Sequence, residues 1–223
     1  DYGLYVVVGG VSPAFLESAF GETNGLLFEG ELGDIDRNLA TKYHAPPAGY
    51  NGLKGLFQQA QAARATHSLG GLAAWVEPGQ VARFMALEVA LGHEDGYTIH
   101  ANNFMMYHSP RSHCFFLLPH GLDNLNYNLA GGAYPPMLGQ LATALLAAPE
   151  GRDLYRKALR RVLAQDMDLD QLQIDLAVLT RQLQPVLQQS EPLWAERQLQ
   201  GAVALVSGLW RRRAALLEDL NHE

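Results

Sequence analysis

Polar side chains that could do chemistry are concentrated between residues 93 and 123 of this 223-residue sequence. Asp95, Asn103 and Asp123 occur there in that order, on segments whose composition predicts loops. Kinase-type phosphoryl transfer uses one loop aspartate to receive the proton of the acceptor hydroxyl, followed by an asparagine and a second aspartate that hold magnesium. Carboxylate and amide oxygens suit magnesium because it is a hard cation. Phosphoryl transfer is therefore one hypothesis for this region.

A transition-metal hydrolase is a second hypothesis for the same region. Five of the eight histidines lie between His93 and His120, and imidazole combined with carboxylate suits zinc or iron. His93, Asp95, His100 and His120 would be the candidate ligands. No HExxH pair is present, and the histidine spacings match no established ligand set.

A purely structural role for the same residues is the third hypothesis. Asp95 is followed by Gly96, and aspartate and asparagine are common turn formers, so Asp95 and Asn103 could simply shape loops. Asp123 could cap a helix. The step of eight residues from Asp95 to Asn103 is also longer than the five residues of ordinary kinases.

The elements around these residues are predicted from hydrophobic spacing. A buried helix should run from Pro78 to Leu91 and end at Gly92, shortly before Asp95. Strands are predicted at 104–107 and 114–118, joined by a turn. The resulting β-hairpin would place Asn103 before its first strand and Asp123 after its second. The one cysteine, Cys114, is predicted to be a buried core thiol.

The rest of the chain divides into a part rich in strands and turns and a helical part. Before residue 56 we predict a strand at 5–8, a helix from Pro13 to Phe20 capped by Ser12, and a strand at 26–29. Later helices are predicted at 138–147 and 151–164. Another helix should bury Leu172, Leu176, Leu179 and Leu183 and be kinked or ended by Pro185, and a final helix should begin at Ser190.

Composition excludes several classes of protein. A formal net charge of -7 argues against nucleic-acid binding through a basic surface. No apolar stretch approaches the roughly 20 residues of a membrane-spanning helix. A single cysteine excludes an internal disulfide and a zinc cluster of several thiolates.

Three stretches in and around the polar region match one family in combination. They are Arg83–Tyr97 (a buried helix leading to glycine and then Asp95), Asn102–Tyr107 (asparagine before an aromatic strand) and Phe116–Asp123 (an apolar strand, a proline and an aspartate). Together they resemble the CotH (spore coat protein H) kinase family. The opening strand Gly3–Val8 is similar to that family's Gly-Leu-Tyr strand, and the resemblance spans nearly the whole chain.

The resemblance implies an α+β, atypical protein-kinase-like fold in a single domain. Residues 1–55 would be a small-lobe remnant and 56–223 a mainly helical large lobe with the catalytic β-hairpin. It implies ATP and magnesium or manganese as cofactors, and serine or threonine of a surface or coat protein as the acceptor. Asp95 would be catalytic, and Asp123 and Asn103 would bind metal. The compartment typical of the family is secreted, spore-coat or cell-surface.

The sequence departs from the family at three places. Gly9 replaces a glutamate after the first strand, and His120 replaces a tryptophan after the proline. The family's phosphate-contacting basic residue would precede Asp1, which implies that the chain begins partway through the small lobe. Loss of these groups gives an alternative function, a catalytically inactive kinase-like scaffold that binds a coat or cell-surface protein.

Overall fold

The computed structural model describes residues 9–37, 39–126, 132–190 and 192–222. In that part the chain forms eight α-helices and four strands, so the predicted α+β class is confirmed. The predicted strand at 5–8 lies outside the described residues. The elements are α1 Pro13–Phe20, β1 Leu26–Gly30, β2 Ala40–Tyr43, α2 Gly52–Thr66, α3 Pro78–Leu91, α4 Tyr97–His100, β3 Phe104–His108, β4 Phe115–Pro119, α5 Gln140–Ala147, α6 Pro149–Arg161, α7 Leu169–Ser190 and α8 Pro192–Asn221.

The four strands form one antiparallel sheet in the order β2-β1-β3-β4. Strands β3 and β4 are the predicted hairpin, with Phe104 opposite Pro119 and His108 opposite Phe115. The sequence did not predict β2, because this edge strand is largely exposed and lacks an alternating apolar pattern.

Alternate residues of the sheet face two different apolar layers, as the two-residue repeat of a strand requires. Phe28 on β1 and Met106 on β3 are paired in register and face the helices, where they join the main core. Leu27 and Tyr107, the next pair, face the opposite way and pack with Leu16 of α1. The sheet is therefore covered by the large helical layer on one side and by α1 on the other.

Helix α3 is the central element beneath the hairpin, and its predicted bounds are confirmed. Pro78 occupies the first turn, where a missing N–H costs nothing, and Gly92 ends the helix with a φ of +65°. The helix packs against α5, α6, α8 and β4. Because almost every face of it is covered, even Glu88 is buried.

The C-terminal helices correct two predictions. Leu172 and Leu179 are 40% and 50% exposed, because α7 packs mainly against α8 and its apolar positions outnumber those that one partner can cover. Helix α7 also continues past Pro185 to Ser190, so the predicted end of the helix at the proline is wrong, and the alternative of a kink stays a prediction. None of the described helices is long and apolar enough to cross a membrane.

Candidate functional site

Asp95 lies in the short connection between α3 and α4, where it is partly exposed. One of its carboxylate oxygens accepts a hydrogen bond from Asn102 Nδ2 at 3.0 Å, and the other accepts one from Asn103 Nδ2 at 2.8 Å. Asn103 Nδ2 also donates to the backbone carbonyl of Asp95 at 3.0 Å. The structure therefore brings Asp95 and Asn103 together, and it adds Asn102 as a second support.

The amide of Asn103 has a defined orientation, because an ionised carboxylate only accepts hydrogen bonds and must face the NH₂ group. Its Oδ1 consequently points away from Asp95 and is the atom that could ligate a cation. The backbone of Asn103 has a φ of +48°, in the left-handed region that asparagine tolerates better than most residues.

Asp123 follows β4 in an exposed loop, and no hydrogen bond or ion pair joins its carboxylate to another described residue. The loop reaches it by passing against Asn103: a Cβ added to Gly121 would lie 2.9 Å from Asn103 Cγ. Two residues of chain span at most about 7 Å, so the Cα of Asp123 lies within that distance of the Gly121 Cα. The backbone of Asp123 therefore lies near Asn103, and no hydrogen bond joins the side chains of these two described residues. Within the described ranges, no group of three or more His, Cys, Asp or Glu side chains is arranged to hold a metal.

A buried pair, Glu88 and His93, connects α3 to the start of α4 and to the loop after β4. The Glu88 carboxylate accepts hydrogen bonds from the backbone N–H groups of Tyr97 at 3.0 Å and Thr98 at 2.7 Å. It also lies 3.2 Å from His93 Nδ1, while His93 Nε2 lies 3.1 Å from the carbonyl oxygen of Gly121. Because both ring nitrogens face acceptors, the geometry suits the doubly protonated ring.

The electrostatics of His93 agree with that geometry. Burial opposes the charged form of the ring and by itself would lower its pKa. The hydrogen bond and charge of Glu88 outweigh this effect, together with the Gly121 carbonyl and the charge of Asp95, so the pKa of His93 is raised. His93 thereby ties α3 to the loop that carries Asp123. Its nitrogens are both engaged, which argues against the metal-ligand role that the hydrolase hypothesis gave it.

The other two candidate histidines of that hypothesis also have protein partners. His100 Nδ1 lies 2.7 Å from the carbonyl oxygen of Glu94. His120 Nε2 lies 3.2 Å from Glu29 Oε1 on β1, and the same carboxylate forms an ion pair with Lys42. Glu29 is 8% exposed, so this cluster neutralises a buried charge on the sheet.

The loop between β1 and β2 also contacts the site, and the sequence did not predict this contact. The N–H of Leu32 donates to Asn102 Oδ1 at 2.7 Å. The carboxylate of Asp34 accepts from the N–H groups of Ile35 and Gln140, each at 2.6 Å. Burial raises the pKa of Asp34 to about 6. An aspartate in a loop with two glycines was the only sequence signal, because its burial and its partner Gln140, 106 residues away, appear only in the fold.

Comparisons with known proteins add no assignment. No protein-family model matches the chain, and no curated protein matches it at a significant level. The resemblance to the CotH family therefore stays a prediction.

Proposed function

We propose that the chain is an ATP- and divalent-metal-dependent protein kinase, atypical and CotH-like in fold, that phosphorylates serine or threonine of a protein acceptor. The observation that carries the proposal is the Asp95 carboxylate, held by Asn102 and Asn103 at the base of the hairpin that leads to Asp123. Aspartate, asparagine, hairpin and second aspartate follow one another in the order that kinase chemistry uses.

Asp95 would orient the acceptor hydroxyl and receive its proton. Each carboxylate oxygen already accepts one side-chain hydrogen bond, and each has further acceptor capacity for a substrate O–H. The acceptor oxygen would form a bond to the γ-phosphorus while the bond to the β–γ bridging oxygen breaks and ADP leaves. Positioning and charge stabilisation provide most of the catalysis in such transfers.

Asp123 and Asn103 would hold the metal, magnesium or manganese. Magnesium in phosphoryl-transfer sites takes one or two carboxylates together with substrate phosphates and water, so a site with few protein ligands fits it. The exposed carboxylate of Asp123 and the Oδ1 of Asn103 are oxygens of the required kind. A bound ion would neutralise the charge of the nucleotide phosphates.

The lobes of the proposed kinase follow the sequence division. Residues up to 55 would belong to the small lobe and residues from 56 to the large lobe, with a secreted, spore-coat or cell-surface context as in the family. A catalytically inactive scaffold that binds a coat or surface protein is the second candidate. One observation favours it: Lys42, one of three lysines, is ion-paired with Glu29 and is not free to contact a phosphate.

Calorimetric titration of ATP with magnesium or manganese tests the metal and nucleotide roles. We expect metal-dependent binding that Asp123→Ala abolishes and that the matched control Asp170→Ala, on an exposed turn of α7, leaves unchanged. ATP binding that is indifferent to both metal and Asp123→Ala would contradict the kinase proposal and favour the scaffold.

A further inference from the structure

A cavity of about 660 Å³ lies between β1, β2 and the start of α2. Phe28 of β1, Thr41 of β2 and Leu53 of α2 each contribute to its wall. The volume is in the range of pockets that enclose small organic ligands. Nothing in the site described above fills it.

The wall of this cavity offers flat aromatic surface. The rings of Phe28 and Tyr50 are stacked, with centroids 6.0 Å apart and an interplanar angle of 21°. The Tyr50 hydroxyl lies 3.0 Å from His108 Nδ1, which fixes the ring, and Phe57 adds a third aromatic side chain. Phe28 is only 2% exposed, so the half-buried rings of Tyr50 and Phe57 provide the planar, apolar surface that suits a heteroaromatic ring.

The rim of the cavity carries two cations, Arg37 and Lys54, beside one acid, Asp36. Both cations are exposed, and in the part of the chain that the structure describes no acid lies within ion-pair distance of either one. In a chain with a net charge of -7, this is a local excess of positive charge. It suits an anionic group, and guanidinium is especially suited to phosphate.

A series of direct contacts joins this rim to Asp95. Arg37 Nη1 lies 3.5 Å from the carbonyl oxygen of Leu32, at the outer limit of a hydrogen bond. The N–H of Leu32 donates to Asn102 Oδ1, and Asn102 Nδ2 donates to Asp95. Hydrogen bonds through Leu32 and Asn102 therefore connect Arg37, at the edge of the cavity, to Asp95.

We propose that this cavity binds a nucleotide, with the base against Tyr50 and Phe57 and the phosphates at Arg37 and Lys54, on the edge of the cavity that hydrogen bonds connect to Asp95. The identity of the nucleotide as ATP rests on the proposed function. The inference adds to it a ring site and two phosphate-contacting residues.

Two further cavities in the part of the chain that the structure describes do not compete for this role. They measure about 440 and 600 Å³ and lie between α7 and α8. Those helices carry none of Asp95, Asn103 and Asp123.

Equilibrium titration with three separate probes, ATP, adenosine and inorganic tripolyphosphate, tests the proposal on the whole chain. Arg37→Gln should weaken ATP and tripolyphosphate about tenfold or more and leave adenosine unchanged, because only a charge-assisted contact is lost. Tyr50→Leu should weaken ATP and adenosine and leave tripolyphosphate unchanged. Arg211→Gln, on an exposed position of α8, is the matched control and should change nothing.

The outcomes separate this proposal from the kinase proposal. If Tyr50→Leu does not fold, Phe57→Leu replaces it as the ring-site variant. Equal ATP affinity in wild type, Arg37→Gln and the ring-site variant overturns the cavity proposal, as does a wild-type chain that binds none of the probes. Weakened binding in these variants supports it even if phosphate transfer is absent, and that absence would then count against the kinase proposal alone.

Discussion

Asn103 donates from one side-chain nitrogen to both the carboxylate and the backbone carbonyl of Asp95, at 2.8 and 3.0 Å. This double contact fixes the loop after α3 to the start of β3. Any role of Asp95 in chemistry depends on it, because the carboxylate is positioned by neighbouring side chains and not by its own backbone.

Replacing Asn103 should therefore cost stability as well as position. Asn103→Ala removes both hydrogen bonds and places alanine at a φ of +48°, so we expect a loss of about 2–4 kcal/mol in the free energy of unfolding. Asn103→Gly removes the same bonds without the backbone strain and should be less destabilised by about 1 kcal/mol. Urea denaturation of the two variants measures both quantities. Equal stability of Asn103→Ala and wild type would show that the contact is not formed in solution.

Replacing Gly121 by alanine should destabilise the fold for two reasons, backbone strain and a steric clash, which a matched control can separate. Its φ is +64°, and a Cβ would lie 2.9 Å from Asn103 Cγ. Gly49 has a φ of +78° but no atom within 4 Å of an added Cβ. We expect Gly49→Ala to cost about 1–2 kcal/mol from backbone strain and Gly121→Ala to cost more, because Asn103 must also move. Thermal or urea unfolding measures the difference, and similar losses in both variants would contradict the close approach of the loop to Asn103.

The Glu88–His93 pair predicts a pH dependence of stability. The pKa of His93 is raised in the folded state, so its contribution is complete below about 6.5, the unfolded value, and is lost as pH rises through the folded pKa. Unfolding free energies across neutral to mildly alkaline pH should fall in wild type and fall less in His93→Gln. NMR titration of the ring measures the pKa directly. A folded-state pKa below 6.5 would contradict the pairing.

The buried carboxyl of Asp34 predicts a second pH dependence of the free energy of unfolding, at lower pH. Its pKa is raised from 3.8 to about 6 by burial, so its protonated form is favoured in the folded state. Stability from this group is complete below about 4 and declines until pH passes about 6, by roughly 3 kcal/mol in total at 1.36 kcal/mol per pKa unit. Asp34→Asn should remove this decline. The control Asp170→Asn, at an exposed position, should leave it in place, and a decline equal in both variants would assign it to other groups.

Part of this fold could be predicted because its signals are local. Ser12 and Pro13 begin α1, and Pro78 and Gly92 bound α3, each through capping chemistry contained in a few residues. The hairpin followed in the same way from two apolar runs. Strand β2 and the short helix α4 were not predicted, since neither has a periodic apolar pattern long enough to detect.

Other features depend on contacts between distant parts of the chain. Arg212 Nε, for example, donates to the carbonyl oxygen of Val89, 123 residues away, and no local pattern in the sequence shows this contact. Cys114 was expected to be buried and is only half-buried, because it lies in the turn before β4. Periodicity also could not show that α7 has a single main partner.

The candidate site likewise contains residues that the sequence identifies and residues whose roles appear only in the fold. Asp95, Asn103 and Asp123 were identified because their residue types and order carry the chemistry. Glu88 appeared as one position of a buried helix, and nothing in its spacing showed that it caps α4 and holds His93. Such supports are visible only once the chain is folded.

Transfer of phosphate from ATP is the most direct test of the central claim. The chain would be incubated with ATP and magnesium or manganese, together with a degenerate serine/threonine peptide mixture, and phosphorylation of the peptides and of the chain itself would be measured by mass spectrometry. We expect metal-dependent phosphate on serine or threonine, reduced about 10²-fold or more in Asp95→Asn and unchanged in Asp170→Asn. Transfer that is equal in wild type and Asp95→Asn, or no transfer by a folded wild-type chain that binds ATP, would contradict the account.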